Sequence, residues 1–194
     1  MVVVFTADAT HGIETGIDPP ELGLLHYFIC SACDWELYPD GRYSKYGFSF
    51  EYPSGMTYEE NGLWWNGSAS EASGMVQALD VLGSSGFGVI WDSTESDEEF
   101  ETYIDSFFDV LKSFGDDVYS MGSRLSLSKD GHEVVYQFFN LGERGKEYSG
   151  VIGSWYCEES NRVYLLFTLD SIESTTQDKI FSAFQRQLDF ISVH

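Results

Sequence analysis

Basic residues are scarce. Ten lysines and arginines stand against 32 aspartates and glutamates in 194 residues, a formal charge of −22. A field of that sign repels nucleic acid and anionic membranes, so the expected partners are cations, basic proteins or neutral ligands. The same excess acid also serves solubility or tolerance of salt. Cysteine is nearly absent: Cys30, Cys33 and Cys157 are too few for a disulfide scaffold. Only four histidines occur, His11, His26, His132 and His194, leaving little general-base capacity. No Gly-x-Ser-x-Gly, His-Glu-x-x-His, Walker loop or Gly-x-Gly-x-x-Gly is found, so an enzyme is not expected. No apolar run reaches the ~18 residues of a transmembrane segment, and residues 1–6 carry no basic flank. The apolar run at 22–33 has Asp18 and Glu21 where a lipoprotein signal needs lysine or arginine. The expectation is cytoplasmic by default, with secreted or surface-attached as the alternative.

Apolar and aromatic residues are plentiful. Hydrophobic residues make up 43% of the chain and aromatics 16%, enough for a packed core. Residues 1–42 are broken by Gly12, Gly16, Pro19, Pro20, Gly23, Pro39 and Gly41 and read as a loop-rich extension, with one short strand at 24–29. The main domain spans 43–194. Its centre is a run of three strands, 133–141, 147–157 and 162–169, with apolar side chains on both faces. Such a sheet must be covered on both sides. Earlier strands are expected at 48–52 and 56–60 as a tight pair, then at 75–82 and 87–92. Leu125 and Leu127 alternate into Asp130-Gly131, a pair suited to a two-residue hairpin.

Two helices complete the pattern. Residues 96–114 place Phe100, Tyr103, Ile104, Phe107, Phe108, Leu111 and Phe114 on one stripe, with Ser96 and Glu99 as a capping box and Gly115 as the stop. Residues 175–192 repeat the design with Ile180, Phe181, Phe184, Leu188 and Ile191, capped by Ser174 and Gln177. The fold class is therefore α+β, an antiparallel β-sheet with helices on both faces.

Tyr46-Gly47-Phe48-Ser49-Phe50-Glu51-Tyr52-Pro53 opens the domain, a Phe- and Tyr-rich helix follows the fourth strand, and the last helix ends in Phe190-Ile191. On these words residues 43–194 resemble the PsbP-like superfamily. The resemblance implies an α/β/α sandwich and a binding or accessory role, with no shared catalytic motif to carry over. Members include an extrinsic subunit of the oxygen-evolving complex and a nuclear-import factor that binds Ran.

Several side chains are candidates for chemistry. Residues 27–41 resemble half of a rubredoxin or zinc-ribbon knuckle, with Cys30 and Cys33 two residues apart as thiolates suited to zinc or iron. A disulfide, a redox pair or inert thiols fit the same spacing. No cofactor is expected elsewhere, although Asp92, Glu95, Asp97 and Glu98 cluster at a bend in a way that suits calcium. Carboxylates at a helix start are equally explained by capping and the helix dipole. His132 is expected in solvent beside its turn, and Glu158 and Glu159 at a solvated hairpin tip. Trp64 and Trp65 adjoin in a Gly- and Asn-rich turn, where at least one should escape the core. They define, with Asp92 and Glu95, the expected partner-binding loops of a non-catalytic module. Such a ring also folds back to cap a sheet edge. The alternatives are a metal or redox protein using Cys30 and Cys33, and a small-ligand carrier with an apolar pocket between helix and sheet.

Overall fold

The structure, a computed structural model, describes residues 41–52, 56–80, 85–94, 100–114, 117–143, 146–173 and 175–193. Residues 1–40 of the extension, with Cys30 and Cys33, and also Glu95, the Ser96 and Glu99 capping box, Gly115 and Ser174 lie outside the described residues. The elements are β1 (Arg42–Lys45), β2 (Phe48–Glu51), β3 (Met56–Asn61), a 3-10 turn (Leu63–Trp65), β4 (Ser73–Asp80), β5 (Ser85–Ser93), α1 (Thr102–Ser113), β6 (Asp117–Lys129), β7 (His132–Glu143), β8 (Lys146–Cys157), β9 (Arg162–Ser171), α2 (Gln177–Phe190) and β10 (Ser192–Val193).

Seven strands form an antiparallel sheet in the order β3-β4-β5-β9-β8-β7-β6. Two meanders, β3 to β5 and β6 to β9, are joined by the central β5–β9 pair, whose register sets Gly88 opposite Phe167 and Asp92 opposite Val163. The expected pairing of 48–52 with 56–60 needs correction. β2 leaves the main sheet and lies between β1 and β10 in a separate three-stranded sheet. Phe48 and Phe50 are thereby laid over the larger sheet, and β3 pairs with β4 instead.

Side chains alternate along the strands into two clusters. One gathers Val76, Val89, Trp91, Leu166, Val134 and Val151 with Ile180, Phe184 and Leu188 of α2, and with Tyr43, Phe48 and Phe50 of the small sheet. The other gathers Met75, Ile90, Leu165, Phe167, Phe139 and Ile152 with Ile104, Phe107, Phe108 and Leu111 of α1. The apolar stripes of both helices thus meet the sheet as their spacing requires. Thr176 caps α2, its hydroxyl accepting from the Lys179 amide at 3.4 Å. Asp130 and Gly131, at φ 50° and 86°, close the β6–β7 hairpin in the left-handed conformations that a two-residue turn demands. No helix among the described residues is long and apolar enough to cross a membrane.

Candidate functional site

One end of the main sheet collects four chain segments: the turn after β3, the exit of β5, and the β6–β7 and β8–β9 hairpins. Backbone bonds stitch three of them together. Ser93 donates to the Ala72 carbonyl at 2.8 Å, and Thr94 donates to the Asn161 carbonyl at 3.1 Å. The Trp91 indole donates to the Ser70 carbonyl at 2.8 Å, and the Tyr156 hydroxyl donates to the Asn161 side chain at 3.1 Å. Arg162, at the start of β9, donates to the Tyr46 carbonyl and fastens the β1–β2 turn to the same end.

This end concentrates backbone strain. The non-glycine residues of positive φ among those described are Tyr46, Trp64, Trp65, Asp130 and Asn161, and every one lies here. Aspartate and asparagine tolerate that region. Two adjacent tryptophans, at φ 54° and 62°, do not, and each such placement costs on the order of 1–3 kcal/mol.

Both tryptophans are half-buried and lean on α1. Trp64 sits 6.5 Å from the rings of both Tyr103 and Phe107, and Trp65 meets Phe114 edge-on at 5.5 Å. Tyr103 joins them to the acidic bend, its hydroxyl donating to Asp92 at 2.8 Å. Trp64 and Asp92 are therefore brought together through a side chain that the spacing assigns only to the buried stripe. Glu95, Asp97 and Glu98 fall outside the described residues, as do Cys30 and Cys33. Cys157 is buried and free among the described residues.

Beside this cluster runs a shallow groove of about 420 Å³, lined by Phe100, Tyr156, Asp130, Glu133, Glu158 and Glu159. The Ser154 hydroxyl donates to the Phe100 carbonyl at 2.6 Å and holds that ring at the groove's edge. His132 also lines it and is half-buried rather than solvated, because its hairpin lies beside the β8–β9 turn. Lys129 is engaged by Asp130 at 2.8 Å and Asp189 at 3.6 Å. The hydrogen bond to Asp130 raises its ammonium pKa, with burial opposing. The groove's acids were legible as two hairpin tips; that the tips are neighbours follows from the meander, in which alternate turns share an end.

No family model and no curated protein matches the chain. Solved structures do. The cyanobacterial PsbP (CyanoP) from Synechocystis sp. PCC 6803 aligns over 86% of this chain and 99% of its own, with a TM-score of 0.54 at 15% identity. The fold is PsbP-like. A putative regulator of unknown function from Pseudomonas aeruginosa aligns over 79% of this chain and 96% of its own at 11% identity, with a TM-score of 0.42.

Proposed function

We propose that the chain is a non-catalytic accessory module, an α/β/α sandwich in which each helix covers one sheet face, that binds a basic protein partner through the strained sheet end. The observation that carries this reading is the Trp64-Trp65 turn, two bulky side chains at positive φ that are only half-buried against α1 and keep part of each ring open to a partner. Strain of that kind persists where it serves recognition. Trp64, Trp65, Asp92 and Glu95 form the contact set, with the groove of Asp130, Glu133, Glu158 and Glu159 supplying charge complementarity. An indole beside carboxylates suits the lysine and arginine stems of a basic surface.

The test is site-specific photo-crosslinking in native extract, with the label at position 64 or 92 and a control label at the exposed Tyr119 on the β6 edge. One stoichiometric, basic partner captured from the first two positions and not from the third is expected. Retention should fall at least tenfold in Trp64→Ala and in Glu158→Gln/Glu159→Gln, the order of a modest interface anchor. Equal capture from all three positions, or binding indifferent to these substitutions, overturns the assignment.

A further inference from the structure

A second concavity lies on the α2 side of the sheet, at the other end of β5. Phe87 is five residues from Asp92, about 17 Å along the strand. The cleft, about 260 Å³, runs between α2 and the β5–β9 pair. Its apolar wall is Phe87, Ile180 and Ala183, and its floor is Thr168 and Gln187.

The floor is chemically incomplete. Thr168 and Gln187 are 3% and 5% exposed, yet the Thr168 hydroxyl oxygen and the Gln187 carboxamide oxygen have no hydrogen-bond partner among the described residues. Buried polar atoms almost always have one, and these two belong to residues that line the same cleft, just beneath its surface. The rim carries one acid, Asp170, and two charges of the uncommon sign. Lys179 and Arg186 are two of only ten basic residues, and neither has an ion-pair partner among the described residues. Seven residues apart on a helix, they project from the same side as Ala183 and Gln187. In a protein with 32 acids, two unmatched cations over two orphaned acceptors is a specific arrangement.

We infer that this cleft binds a small organic carboxylate that also carries a hydroxyl. The carboxylate accepts from Arg186 and Lys179, the hydroxyl donates to the Gln187 carboxamide oxygen, and the Thr168 hydroxyl turns toward either group. The apolar body rests on Phe87 and Ile180. The site shares no residue with the partner-binding end, so its failure leaves that reading standing.

Mandelate, an aromatic 2-hydroxy acid, serves as probe, with its amide and inorganic phosphate as controls. Amide shifts of the full, isotope-labelled chain are followed at constant ionic strength. Saturable shifts at Phe87, Thr168 and Gln187 are expected with mandelate, weakened about tenfold by Arg186→Gln or Lys179→Gln, as loss of a charge-assisted bond predicts. Both substituted residues are exposed, so folding is retained. Absence of saturable shifts means that ordinary water completes the floor and overturns the site. Equal binding of the amide, or the same saturation by phosphate alone, overturns the carboxylate assignment.

Discussion

Gly88→Ala tests how the sheet carries its aromatics. Without a clash, alanine here would stabilise the protein by about 0.4–1 kcal/mol, since it restricts the unfolded chain. The structure reverses the sign. A Cβ at position 88 would stand 2.4 Å from Cζ and 2.5 Å from Cε1 of Phe167, its cross-strand partner, and 3.1 Å from the Val76 carbonyl oxygen. Carbon contacts settle near 3.5–4.0 Å, so the ring must retreat by about 1 Å. It has nowhere to go, being fully buried with its centroid 5.1 Å from that of Phe107 on α1. Overpacking of this kind costs about 1–3 kcal/mol, and the net expectation is a loss of about 1–2 kcal/mol in urea unfolding. Gly142→Ala is the internal control. Its nearest side-chain neighbour is Asp117 Cβ at 3.4 Å, an ordinary contact, so a change within about 0.5 kcal/mol is expected. Phe167→Leu should relieve the clash, making the double variant with Gly88→Ala more stable than the sum of the singles. A Gly88→Ala protein as stable as the parent, or strict additivity with Phe167→Leu, refutes the ring-on-glycine account.

Tyr43 gives a pH test. Burial first, and then the nearby Glu60 carboxylate, raise its phenol far above the ordinary value near 10. Its contribution is fully present below the unfolded pKa and is lost as pH rises toward the folded one, by at most about 1.4 kcal/mol per pH unit. Tyr43→Phe should therefore flatten the fall in stability above about pH 10 in chemical unfolding, and an unchanged slope contradicts the assignment. A net charge of −22 predicts a midpoint that rises with sodium chloride from low to moderate ionic strength; a midpoint indifferent to salt would show that self-repulsion is not limiting. Thr176→Ala removes the cap of α2 and should cost about 1 kcal/mol in urea unfolding, whereas no loss would mean that the 3.4 Å contact contributes nothing. For Cys30 and Cys33, elemental analysis of untagged protein is expected to find neither zinc nor iron and thiol titration to find both thiols reactive after unfolding; a stoichiometric ion lost in Cys30→Ser would make the 27–41 stretch a metal centre.

The three-strand run at 133–169 was legible because both faces are apolar, a pattern that only a covered sheet produces. The stripe of α1 was equally plain, and Asp130-Gly131 named its own turn. The partner of β2 was not. Its neighbours include Ser192–Val193, some 144 residues away, and nothing local in Phe48-Ser49-Phe50 distinguishes that pairing from a hairpin with residues 56–60. β6 was legible only at Leu125 and Leu127, although it spans Asp117–Lys129. Edge strands rich in serine and glycine carry little periodic signal, and the register shift between Met121 and Leu125 breaks what remains. At the site, Trp64 and Trp65 stood out by type and position, but their left-handed conformations run against tryptophan's preference and leave no mark in the spacing. Tyr103 was hidden for the opposite reason. Its spacing is that of a core residue, and only the adjacent β5 exit gives its hydroxyl a second role.

The sheet's connectivity explains why the acids accumulate where they do. In the β6 to β9 meander, alternate turns fall at one end, so the hairpin tips at 130–131 and 158–161 are neighbours although 27 or more residues separate them in the chain. Because β5 is inserted beside β9 and antiparallel to it, its exit at Asp92 and Ser93 reaches that same end, and the turn following β3 joins through β4. Three of these four segments thereby present Asp92, Asp130, Glu133, Glu158 and Glu159 on one rim. Each lies beyond the last buried rung of its strand or beside it, so the rim's charge can be altered without opening the core beneath. The cleft under α2 is built differently. Its orphaned oxygens, on Thr168 and Gln187, sit inside the packed layer, where a change of side chain alters stability and binding together. Charge-neutralising substitutions on the rim should therefore separate recognition from folding, whereas in the cleft only the exposed Lys179 and Arg186 offer that separation.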